Sequence, residues 1–140
     1  MIIVLDTNVL VAALISPFGA PARVLDLILA GEARLACDDR ILAEYRQVLA
    51  RPRWSFPPQS VADLLAYLAT EAETIVALPL PAILLDPADL PFLEVAVQAG
   101  APLVTGNRHH FPEGAWQGLR VFSPADFLAF LGSSQAQERG

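Results

Sequence analysis

Three carboxylates and one amide stand where chemistry is expected: Asp6 directly after "IIVL", Glu44 in "ILAEYRQVL", Asp89 in "DPADLPF", and Asn107 directly after "LVTG". Carboxylates gathered in this way hold hard divalent cations through oxygen or move protons. Each also has a simpler reading. Asp6 stands where a strand turns into a helix, a place where Asx residues cap. Thr7 and Asn8 follow it and are capping types themselves, so a cap does not require the acid. Glu44 lies about 100° from the centre of an apolar stripe formed by Ile41, Leu42, Tyr45, Val48 and Leu49, a position that equally suits a solvated Glu. Asp89 competes with Asp86 for the capping position of the same helix, with Pro87 or Pro91 in the first turn.

These residues are delivered by alternating strands and helices. The run Ile2 to Leu5 reads as a strand buried on both faces. A helix follows over Thr7 to Ile15, and "SPFGAP" breaks it. A second helix starts near Pro21 and ends at Ala30, before Gly31. "ARLAC" is a short strand, and a third helix runs from Asp38 or Asp39 to about Ala50. Ser60 and Asp63 form a capping-box pattern for a fourth helix through Leu64, Leu65, Tyr67 and Leu68. Further strands are expected near Thr74 to Leu78, Leu103 to Thr105 and Arg120 to Phe122. A helix from Leu90 to Ala99 is closed by Gly100, and a last one over Ala125 to Leu131 is capped by Ser123, Pro124 and Asp126. Such alternation points to βαβ units and a parallel sheet covered on both faces. Functional groups then gather beyond the carboxyl ends of the strands.

The chain has 140 residues, enough for one core, which we place in residues 1 to 131, with 132 to 140 as a flexible tail. Hydrophobic residues make up 54% of it. The long apolar run Ile75 to Leu85 carries Pro79 and Pro81 and falls short of the roughly 20 residues a membrane helix needs. The first strand leaves no room for a basic leader, so a cytoplasmic location is expected. Cys37 is the one cysteine and reads as a small buried residue. A net charge of −6 argues against a nonspecific nucleic-acid coat but not against an enzyme that engages phosphate through metal ions.

The stretches "IVLDTNVLVAAL" (3 to 14), "ILAEYRQVLARPRW" (41 to 54), "DPADLPFLEVAVQAGAPLVTGNRHHFP" (86 to 112) and "GLRVFSPADFL" (118 to 128) together resemble the PIN domain family, the small nuclease fold of VapC-like toxins and of several RNA-processing factors. The resemblance implies a three-layer α/β/α fold with a parallel sheet in the order 3-2-1-4-5 and a site for Mg²⁺ or Mn²⁺ at its carboxyl edge. By residue match Asp6, Glu44 and Asp89 take the acidic positions and would hold metal. Asn107 stands at the fourth, where the family usually has Asp, which implies weaker binding of a second ion. Asn8 and Thr105 would support the ligands. The activity implied is endoribonuclease cleavage leaving 5′-phosphate and 3′-hydroxyl ends, in the toxin of a toxin and antitoxin pair. An antitoxin protein would block the site, with an Arg among the carboxylates, and a homodimer is expected.

Elementary electrostatics agrees. Carboxylates about 5 Å apart repel by roughly 3 kcal/mol per pair at an effective dielectric near 20, so one protonates unless a cation intervenes. Arg108, His109 and His110, and likewise Arg46, Arg51 and Arg53 beside Trp54, are candidate contacts for an RNA backbone. Of these, Arg108, His110 and Arg46 are the principal candidates. A zinc site at His109 and His110 is disfavoured, because in an extended segment they point opposite ways. The rival from another class is a noncatalytic PIN-like module binding RNA or protein. A phosphatase using Asp6 as nucleophile expects a second acid where Asn8 stands, and a receiver-type phosphoacceptor needs a Lys that the chain lacks.

Overall fold

The computed structural model describes residues 1–112 and 118–139. Five strands form one sheet: β1 (Ile2–Leu5), β2 (Arg34–Cys37), β3 (Glu73–Thr74), β4 (Leu103–Val104) and β5 (Val121–Phe122). Every pairing is parallel and the order is β3-β2-β1-β4-β5, as expected. β1 is central. Ile3, Val4 and Leu5 have no exposed surface, which is why this strand carries neither alternation nor charge.

The helices are α1 (Thr7–Ile15), α2 (Ala20–Leu29), α3 (Asp39–Leu49), α4 (Pro58–Glu71), α5 (Leu90–Ala99) and α6 (Pro124–Arg139). The strand order requires crossovers in both directions from β1. Since such connections are right-handed, α1 and α2 lie on the face opposite α5, while α3 reaches both, through Thr7 and Glu44 toward α1 and through Arg40 and Glu94 toward α5. Asp38 caps α3 by accepting the Ile41 N–H at 3.1 Å. Gly100 ends α5 at φ 63°, a conformation that glycine enters without penalty. Among the described residues no single helix is long and apolar enough to cross a membrane.

Three boundaries differ from those expected by more than one residue. α4 starts at Pro58, so Ser60 lies inside the first turn and its box with Asp63 is not used; Asp63 accepts from Gln59 Nε2 at 2.8 Å instead. Proline at the first helical position presets φ and needs no hydroxyl cap. The strand expected over Thr74 to Leu78 stops at Thr74, with one more ladder bond from Ile75 N–H to the Cys37 carbonyl. Beyond it Val76 and Leu78 face solvent, and Pro79 and Pro81 lack the donors a ladder uses. The last helix, expected to end at Leu131, runs on to Arg139, through the stretch read as a tail; Gly140 lies outside the described residues. Its cap is as expected, Ser123 Oγ accepting the Asp126 N–H at 3.1 Å.

Candidate functional site

β1 ends at Leu5, and the chain turns into α1 at Asp6, whose backbone N–H donates to the Val104 carbonyl at 2.9 Å. Asp6 occupies the capping position of α1, yet its carboxylate makes no capping bond. It accepts instead from the Thr105 hydroxyl at 2.7 Å. Thr7 and Asn8, read as alternative caps, are the first residues of α1 itself. Asp6 is 6% exposed. Burial, and then the charge of Asp89, push its pKa from 3.8 up to about 6 against the opposing hydrogen bond from Thr105.

Thr105 connects the two strand ends, because its hydroxyl also accepts the Asn107 N–H at 3.0 Å. Asn8 Oδ1 accepts the Gly106 N–H at 3.0 Å, and a Cβ on Gly106 would lie 3.4 Å from that same amide. The "TGN" turn is thereby laid closely against the start of α1. Asn107 is half-buried beside them, at the head of a 3₁₀ turn over Arg108–His110.

Glu44 is half-buried on α3 and accepts a short hydrogen bond from the Thr7 hydroxyl. Its neighbour Tyr45 is fully buried and donates its hydroxyl to the Leu5 carbonyl at 2.6 Å, which pins α3 to the end of β1. Burial raises the Glu44 pKa, and the charges of Asp6 and Asp86 raise it further. Asp89 is 8% exposed and makes no capping bond; Asp86 caps the preceding turn by accepting the Ala88 N–H at 3.0 Å. Burial raises the Asp89 pKa too, opposed by His110, whose Nδ1 lies 2.9 Å from Oδ2.

The fold therefore brings Asp6, Glu44 and Asp89 within reach of one another's charge, with Asn107, Asn8 and Thr105 alongside. Each carboxylate is turned toward its own partner: Thr105, Thr7 and His110. Among the described residues, no three His, Cys, Asp or Glu side chains stand as a ready ligand group for a metal ion. The donor chemistry nonetheless fits Mg²⁺ or Mn²⁺: hard oxygens at the carboxyl edge of the sheet, each with its charged form disfavoured.

The remaining candidates separate. His109 and His110 are in a turn rather than extended, with rings 4.6 Å apart edge to face. Arg108 pairs with Asp126 at 3.1 Å. Arg46 is exposed on the opposite side of α3 from Glu44, lining a cavity of about 390 Å³ with Leu49, Phe56 and Val61. Thr7 and the Tyr45 hydroxyl were not singled out from sequence as site residues. Their partners lie 37 and 40 positions away, and the only local signal was the place of Thr7 beside Asp6.

A family model described as PIN domain matches residues 2–109. Solved structures show the same fold. A chain of VapBC2 from Rickettsia felis, crystallised bound to a DNA fragment from their promoter, superposes with a TM-score of 0.59 at 22% identity, covering 88% of this chain and 98% of that one. A chain of VapBC-1 from nontypeable Haemophilus influenzae gives 0.59 at 17% identity, covering 89% and 99%. No curated protein sequence matches.

Proposed function

The chain belongs to the PIN domain family, and from that premise we propose that it is a metal-dependent endoribonuclease acting as the toxin of a toxin and antitoxin pair in the cytoplasm. The observation that carries this reading is Asp6. A carboxylate 6% exposed, with its pKa lifted to about 6 by burial and by a second acid, is costly to a fold unless it has work to do.

Asp6, Asp89 and Glu44 would hold Mg²⁺ or Mn²⁺, which supplies an acidic bound water for in-line attack on a phosphodiester. The chain itself does the positioning. Thr105 fixes the Asp6 carboxylate by its hydroxyl, and Thr7 does the same for Glu44. Asn107, where the family usually has an acid, directs an amide at water or phosphate without adding charge. Asn8 holds the Gly106 N–H and with it the turn that carries Asn107. His110, beside Asp89, would meet the RNA backbone, and Arg108 would do so by exchanging Asp126 for a phosphate.

Both solved relatives come from VapBC pairs, which supports an antitoxin partner that silences the site. Two copies of the chain would form the working unit. The noncatalytic alternative draws on the lack of a ready three-ligand group among the described residues. Mn²⁺ titration of thermal stability, with RNA cleavage by wild type and Asp6→Asn measured alongside, separates the two. The nuclease reading expects Mn²⁺ to raise the Tm of wild type only, and cleavage to vanish in the variant. Equal cleavage by both proteins, or none by either, removes it.

A further inference from the structure

The segment after α3, Arg51 to Phe56, holds a feature that the reading above leaves unused. Arg53 sits with its guanidinium 4.4 Å from the centre of the Trp54 ring, and Phe56 stacks on the same indole at 6.2 Å with only 14° between the planes. Trp54 Nε1–H donates to the Val48 carbonyl at 3.1 Å, so the indole is held in one orientation before any ligand arrives. Ser55 adopts φ 54°, a left-handed conformation uncommon for a residue with a side chain. That turn brings Trp54 and Phe56 into register. Phe56 and Trp54 are half-buried, whereas Arg53 is exposed and forms the outer surface of the stack.

Charge points the same way. The molecule carries a net −6, and a nucleic acid can approach it only where cations are not already matched by acids. Arg34 pairs with Glu73, Arg40 with Asp38 and Glu94, and Arg108 with Asp126. Arg23, Arg46, Arg51, Arg53 and Arg120 make no ion pair among the described residues, and of these Arg51 and Arg53 stand together in the segment that carries the aromatic stack. Arg51 follows Ala50, the residue that ends α3, with an extended backbone (φ −62°, ψ 132°), roughly 10 Å beyond Glu44 along the helix axis.

We propose that Arg51, Arg53 and Trp54 form a binding subsite for one unpaired base and its flanking phosphate, about two helical turns from Glu44 along the path of the RNA strand. The base lies on the guanidinium and indole stack, and Arg51 meets the phosphate. Stacking of this kind tolerates any base, because every base has a π-face, so the subsite orients the strand rather than reading its sequence. An acidic protein segment would also be drawn to two arginines, but it has no flat group to match a prearranged stack.

The inference rests on the ribonuclease reading and can fail separately from it. The chain has two tryptophans, so Trp116→Phe leaves Trp54 as the reporter. Three probes are added in EDTA, which prevents cleavage: a single-stranded oligouridylate, inorganic polyphosphate and polyglutamate. The oligouridylate should quench Trp54 emission saturably, and the other two should not. Trp54→Leu should weaken oligouridylate binding about tenfold, with Trp54→Phe largely restoring it. Arg53→Gln, at an exposed position, should weaken binding and lower the salt slope by about one. If wild type binds and cleaves RNA while these variants bind as wild type does, the subsite is overturned and the nuclease stands. If polyglutamate quenches as RNA does, the surface is a protein contact and the subsite falls. If wild type neither binds nor cleaves RNA, both readings fall together.

Discussion

The Thr105 hydroxyl donates to the Asp6 carboxylate across 2.7 Å, joining residues 99 positions apart at the ends of neighbouring strands. The same oxygen accepts the Asn107 N–H at 3.0 Å, so one side chain orients the buried acid and sets the turn that presents the amide. Thr105 has no exposed surface, and no water can take over if the hydroxyl is lost.

Thr105→Val keeps the shape and removes both bonds. The Asn107 N–H then lacks its acceptor and Asp6 its donor, at a cost of roughly 1–3 kcal/mol. Urea denaturation should show this loss, and RNA cleavage should fall with it. Wild-type stability in the valine variant would mean that the hydroxyl contributes nothing.

Asp6 makes metal-free stability depend on pH with a definite sign. Its folded pKa, about 6, exceeds the ordinary 3.8, so the folded state holds the proton more tightly than the unfolded chain does. The stabilisation this gives is complete below 3.8 and is lost as pH rises through 6, at most about 3 kcal/mol. Asp6→Asn mimics the protonated acid. In EDTA the variant should be the more stable protein above pH 6, and the difference should close toward pH 4. A constant difference across that window would assign the burial of Asp6 no electrostatic consequence.

Arg40 and Arg34 offer a matched contrast. Arg40 Nη1 donates at 2.6 Å to Glu94, which is 4% exposed and also accepts the Leu80 N–H at 2.7 Å. Arg40→Met leaves a buried carboxylate without its cation and should cost about 2 kcal/mol or more. Arg34 meets Glu73 at 3.2 Å where both side chains are well exposed, so Arg34→Met should stay within about 0.5 kcal/mol. Thermal melts of the two variants at one pH decide it; equal losses would contradict the role given to burial.

Asn107→Asp restores the acid usual in the family. Adding a charge beside Asp6 should lower the metal-free Tm and enlarge the rise produced by Mn²⁺. An unchanged response to Mn²⁺ would place residue 107 outside the influence of any bound ion.

The amino-acid sequence by itself determined the elements and their polarity. "IIVL" had to be a strand buried on both faces, because no other regular element so short hides four consecutive apolar residues. The Asp after it therefore lies at the carboxyl edge. Gly100 had to end α5, and Ser123 had to cap α6, since those signals act over a few bonds of backbone. Cys37 is buried, as its type and setting suggested.

What the tertiary structure alone decided was every partnership across strands and helices: Glu44 with Thr7, Asp89 with His110, Glu94 with Arg40, and the side of α3 on which Arg46 falls. It also decided that α4 begins at Pro58 and that the third strand stops at Thr74. The reason is range. Periodicity and capping are settled by neighbours within about four residues, whereas a carboxylate finds its donor only when the strand order has carried two distant segments to the same edge of the sheet.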